Sequence, residues 1–80
     1  MAKITVTKKG GEVTKVTSDC NALSQVYTKL GGNSYLVERI DWEHGGQFRW
    51  PGSVPYDELP EWVKKKFEGK IEMNDTIKNN

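Results

Sequence analysis

Alternation of apolar and polar residues is cleanest from Ser34 to Trp50, SYLVERIDWEHGGQFRW, where strand-favouring residues flank the Gly45-Gly46 pair. This pattern predicts a β-hairpin. A two-residue loop at Gly45-Gly46 would set Trp42 against Arg49 and Asp41 against Trp50, mixing rings and charges on both faces. A three-residue loop of His44, Gly45 and Gly46 instead pairs Trp42 with Phe48 and Ile40 with Trp50 on one face, and Asp41 with Arg49 and Glu43 with Gln47 on the other. The second register is the expectation, with the rings of Trp42, Phe48 and Trp50 turned into the core.

Ile4 to Thr17, ITVTKKGGEVTKVT, repeats the device on a smaller scale. With Lys9, Gly10 and Gly11 in the turn, Ile4 faces Val16, Val6 faces Thr14 and Lys8 faces Glu12, which leaves Val13 on the outer face. Between the hairpins, Cys20, Leu23, Tyr27 and Leu30 recur at helical spacing behind the N-cap candidates Ser18 and Asp19, and Gly31-Gly32 supplies a stop. A helix over Cys20 to Leu30 is predicted.

The segment PGSVPYDELP holds two proline-led turns and reads as an ordered loop anchored by Val54 and Tyr56. A last helix follows, capped by Asp57, with Leu59, Trp62, Val63 and Phe67 on its apolar face and Gly69 as its stop. Lys70 to Met73 could add a short edge strand, and residues 74–80 read as a frayed tail. The predicted order is β-β-α-β-β-α: one α+β domain over residues 1–73, a two-layer sandwich of a four-stranded antiparallel sheet with two helices on one face.

Composition narrows the function classes. Eighty residues allow one small core, and three Trp, three Tyr and two Phe supply its buried area in a chain only 35% apolar. No apolar run reaches membrane-span length and the opening MAKITVTKK lacks the apolar centre of a secretory signal, so the expected compartment is the cytoplasm. The single Cys20 forbids an internal disulfide and is too few for a zinc site, and it reads as a core residue.

A net charge of +1 fits neither a nucleic-acid mimic nor a general polyanion binder. Its distribution is uneven: residues 1–17 carry +3, residues 18–63 carry −4 and residues 64–80 carry +2. His44 is the only histidine and falls at a hairpin tip, which does not hold a general base in place. The three Gly-Gly pairs match no phosphate-loop pattern, and no metal-ligand spacing occurs, so no cofactor or metal is expected.

By elimination the expected function is non-catalytic binding: docking of a rigid sheet face and its charged rim on a larger protein or nucleoprotein complex, in the manner of the small inhibitors and regulators that phages and other mobile elements direct at host machinery. The residues assigned to that contact are Tyr35, Val37, Arg39, Asp41, Glu43, His44 and Arg49. The alternative is a weak nucleic-acid-binding module using Lys8, Lys9 and Lys15 of the first hairpin with Lys64, Lys65 and Lys66 of the last helix. No membrane partner is expected, and an exposed edge at Ile4 to Lys8 or the tail could pair with a copy as a homodimer.

Overall fold

The computed structural model describes residues 2–79. Seven strands, β1 (Lys3–Lys9), β2 (Glu12–Cys20), β3 (Leu23–Gly31), β4 (Ser34–Asp41), β5 (Gly46–Arg49), β6 (Val54–Pro55) and β7 (Thr76–Asn79), form one mixed sheet in the order β5-β4-β3-β2-β1-β7, with β6 on β4. A 3-10 turn, Tyr56–Glu58, leads into α1 (Glu61–Phe67), the one α-helix among the described residues. The two-layer reading with four strands and two helices is therefore corrected. Most of the sheet is an antiparallel meander, and the connection through α1 crosses one face to lay β7 parallel to β1 at the far edge.

The largest correction concerns Cys20 to Leu30, which is a strand. Asn21, at φ 55, and Ala22 make a tight reversal, so β3 folds back on β2 with Val16 opposite Tyr27 and Cys20 opposite Leu23. The apolar residues of this strand fall on both faces, Leu23 and Tyr27 on one and Val26 and Leu30 on the other, so they do not alternate and their spacing imitates a helix.

Turn chemistry corrects the first hairpin. Gly10 and Gly11 both take positive φ, at 60 and 82, and close a two-residue turn with Lys9 opposite Glu12. The register then shifts between Lys8 and Thr7, leaving Thr14 as an extra residue, and this bulge turns Val13 onto the face of Val6 and Val16. Val13, expected outside, is buried with them. In the main hairpin the pairing is Ile40 with Gln47 and Asp41 with Gly46, so Trp42 to Gly45 form the loop. Trp42, Phe48 and Trp50 are not core residues: they are 65%, 52% and 40% exposed.

The edge beside β4 is one strand broken in two. β5 pairs with its C-terminal half, the Trp50 N–H still donates to the Val37 carbonyl at 3.0 Å, and β6 resumes at Tyr35 and Ser34 after Pro51, which cannot donate.

The core lies between one sheet face and α1, where Val6, Val13, Val16, Tyr27, Tyr35 and Val37 meet Leu59 and Val63. Ile4, Val54, Tyr56, Phe67 and Ile71 pack around them, so Val54 and Tyr56 anchor the loop inward as the sequence suggested. Pro60 starts the helix, with no side-chain cap from Asp57, and Gly69 ends it at φ 92. The stretch expected as a frayed tail is pinned: β7 pairs with Thr5 to Lys8, and the buried Lys66 ammonium binds Asp75 at 2.5 Å. Asn80, the last residue of that expectation, lies outside the described residues.

Candidate binding groove

Alternation along β4 and the edge strand, working with the helix, opens a groove on the helix-bearing face. Tyr27 and Val37 are directly paired across β3 and β4 and turn toward α1. Because α1 has seven residues and packs chiefly over β2, it leaves the β3–β4–edge part of that face partly uncovered. The result is a groove of about 220 Å³ floored by Gln25, Tyr27 and Val37. Trp50 and Val54 of the broken edge line one side, and Glu58, Leu59 and Pro60 of the approach to α1 line the other.

The aromatic residues are held by one another. Phe48 and Trp50 meet edge to face with centroids 4.7 Å apart, and Tyr27 meets Trp62 at 5.9 Å with the planes perpendicular. The Tyr27 hydroxyl donates to Gln25 Oε1 at 3.2 Å, and burial raises its pKa above the usual tyrosine value. The Trp50 indole N–H has no hydrogen-bond partner among the described residues, and neither Asp57 nor Glu58 forms an ion pair among them. Glu38 also borders the groove, but its carboxylate accepts from Gln47 at 3.1 Å and from Arg49 at 3.3 Å.

The residues assigned to a contact from the sequence separate into three places. Tyr35 is a core residue, 4% exposed and packed on Phe67 with ring centroids 4.9 Å apart, whereas Val37 belongs to the core and also to the floor of the groove. Arg39, Asp41, Glu43 and His44 do gather, around a shallow depression beside Cys20 and Leu23 at one end of the sheet. There the His44 N–H and Nδ1 meet the two Asp41 oxygens at 3.1 and 2.9 Å, and those bonds, led by the ring, hold the Asp41 carboxyl below its usual range. Arg49 points to the opposite face, with Glu38.

That opposite face carries no helix. Its residues include Thr5, Thr17, Val26, Leu36 and Ile40, and at one end the Trp42 indole N–H donates to Ser24 Oγ at 2.7 Å, whose hydroxyl donates to Asp19.

The lysines of the nucleic-acid alternative are dispersed. Lys8 and Val13 are paired on the helix-bearing side, Lys9 adjoins the Gly10-Gly11 turn, and Lys15 pairs with Thr28 on the other face. Lys64 lies 3.2 Å from Glu61, Lys65 is exposed, and Lys66 is buried between Asp75 and Glu72.

The groove itself escaped the sequence reading, because Trp50 and Phe48 were assigned inward. Pro51 carries a usable signal: a proline directly after Trp50 breaks the edge strand there. Among the described residues no group of three or more His, Cys, Asp or Glu could hold a metal ion, and no helix is long and apolar enough to cross a membrane. Compared with known proteins, the chain matches no protein family, no curated sequence and no solved structure.

Proposed function

We propose that the chain is a small non-catalytic binding protein that docks on a larger protein and acts as an inhibitor or regulator of it, with the groove at Trp50 as the centre of contact. The observation that carries this reading is the exposed Phe48–Trp50 pair beside an apolar groove. Large rings held in fixed positions at the surface cost solvation in the free protein and supply contact area at low entropic cost on binding. At about 220 Å³ the groove is smaller than the ~300–1,000 Å³ of clefts that enclose a small molecule, which favours part of a macromolecule as occupant.

Arg39, Asp41, Glu43 and His44 then form a charged rim at the far end of the same region, setting orientation and encounter more than affinity. The test is affinity capture by the wild-type protein and by the Trp50→Ala and Phe48→Ala variants, compared by quantitative mass spectrometry. A prey retained by the wild type and lost by both variants is the expected result. A prey retained equally by all three removes this groove from the function.

A further inference from the structure

Taking the groove as the contact, we infer its occupant: a proline-rich segment of the partner in the polyproline II conformation, bearing an arginine or lysine that lies beside Asp57 and Glu58. Three features select it.

The first is size and shape. An α-helix is ~10–12 Å across with its side chains and presents anchors over several turns, which calls for a longer trough than a groove of about 220 Å³. A polyproline II turn holds three residues in about 9 Å, and its rings fit between flat neighbours. Trp50, Tyr27 and Pro60 supply those neighbours.

The second is hydrogen bonding. The main chain of the floor is already committed, with Gln25 paired to Arg39 and Tyr27 to Val37, and the Trp50 N–H given to Val37. An ordinary extended peptide laid there would bury N–H groups with nothing to receive them. Proline has no N–H. Its carbonyls need donors, and the unpartnered Trp50 indole N–H is one, aided by the Gln25 amide.

The third is charge. No cation lines the groove, the Glu38 carboxylate turns to the opposite face with Arg49, and Glu58 with its neighbour Asp57 is not neutralised by any described residue. Arg39 lies further along the face, opposite Phe48 and near Asp41. A basic residue on the ligand therefore belongs at the Asp57–Glu58 end, the pairing that also fixes which way the segment runs.

The experiment titrates isotope-labelled protein with four probes, following amide and indole resonances. These are a peptide of proline pairs and leucines ending in two arginines, the same peptide ending in two glutamates, an amphipathic alanine-lysine helical peptide, and chitohexaose. The expected result is binding of the arginine peptide with shifts at the Trp50 indole and Gln25. The glutamate peptide binds ~10-fold more weakly or worse. Reversing the protein charge with the double variant Asp57→Lys, Glu58→Lys reverses that preference, and Trp50→Ala abolishes binding while thermal unfolding remains cooperative. Equal affinity for the two proline peptides, or shifts that avoid the groove, overturns the inference. Binding of the helical peptide or the sugar at Trp50 in their place also overturns it, while leaving the groove as the contact. Silence across the panel overturns both this occupant and the reading it rests on.

Discussion

Tyr56 shows how one side chain can tie the approach to the helix to its end. Its hydroxyl donates to the Glu68 carboxylate and also lies 3.3 Å from the Lys64 carbonyl, and its backbone N–H is taken by Asn33 Oδ1 at 3.1 Å. The bond to Glu68, then burial and the nearby negative charge, push the Tyr56 pKa up to about 12. A phenol whose folded pKa is raised stabilises fully below the unfolded value, ~10, and that contribution disappears as pH climbs through about 12. In Tyr56→Phe the stability difference from wild type, measured by urea unfolding at fixed temperature, is expected to be present at pH 8 and to shrink steadily above pH 10. Absorbance at 295 nm should follow the same phenol, ionising later than a free tyrosine. At this scale the sequence was informative about Tyr56, whose two flanking prolines gave a loop that must be anchored, and misleading about Trp42, Phe48 and Trp50. The assumed register and their size suggested burial, whereas exposure depends on the actual register and on which neighbour covers them.

The helix shows the same dependence at the level of an element. Seven residues are too few to stay helical in isolation, so α1 exists because Val63, with Leu59 just ahead of the helix, is buried in the core it shares with the sheet. Its C-terminal end helps, with the Gly69 and Lys70 N–H groups returning to Lys66 and Lys65 at 3.0 and 2.9 Å. Val63 is fully buried. Val63→Ala should cost about 2 kcal/mol from lost burial and an unfilled cavity, read as a lower urea midpoint at unchanged slope. A second element-scale prediction concerns Asn21, whose φ of 55 suits asparagine or glycine but not a β-branched residue. Asn21→Gly should leave stability within a few tenths of a kcal/mol, whereas Asn21→Val should lose ~1–2 kcal/mol by thermal unfolding. Both hairpins and the last helix were legible from β-branched runs, paired glycines and a proline-led apolar stripe. Their registers were not, because the bulge at Thr14 and the four-residue loop at Trp42 to Gly45 each change which residues share a face without changing composition.

For the molecule as a whole, a buried ion pair among the described residues supports the closure of the sheet by β7. Lys66 and Asp75 have side chains only 6% exposed each, and Asp75 also receives the Glu72 N–H at 2.9 Å, so together they hold the loop that delivers β7 to β1. Burial alone would raise the Asp75 carboxyl; the bond and charge of Lys66 and the Glu72 N–H outweigh it, and the pKa falls below the ordinary value. A carboxylate lowered on folding stabilises above its unfolded pKa, ~3.9, and loses that contribution as pH drops through its folded value. Asp75→Ala, which leaves the buried Lys66 charge only the more distant Glu72 carboxylate at 3.5 Å, should cost ~3 kcal/mol near neutrality. The gap from wild type should close in acid below pH 4, and amide exchange in Thr76–Asn79 should rise selectively in the variant. Taken by itself, the sequence determined two hairpins turned on glycine pairs and a helix through Trp62 to Phe67, because turn residues and β-branched runs act locally. Only the tertiary structure decided that Cys20 to Leu30 is a strand, that Thr76–Asn79 crosses to the far edge, and that Trp50 stands beside an open groove. Each of those outcomes is set by what packs above or beside the segment, and no local pattern of residues encodes it.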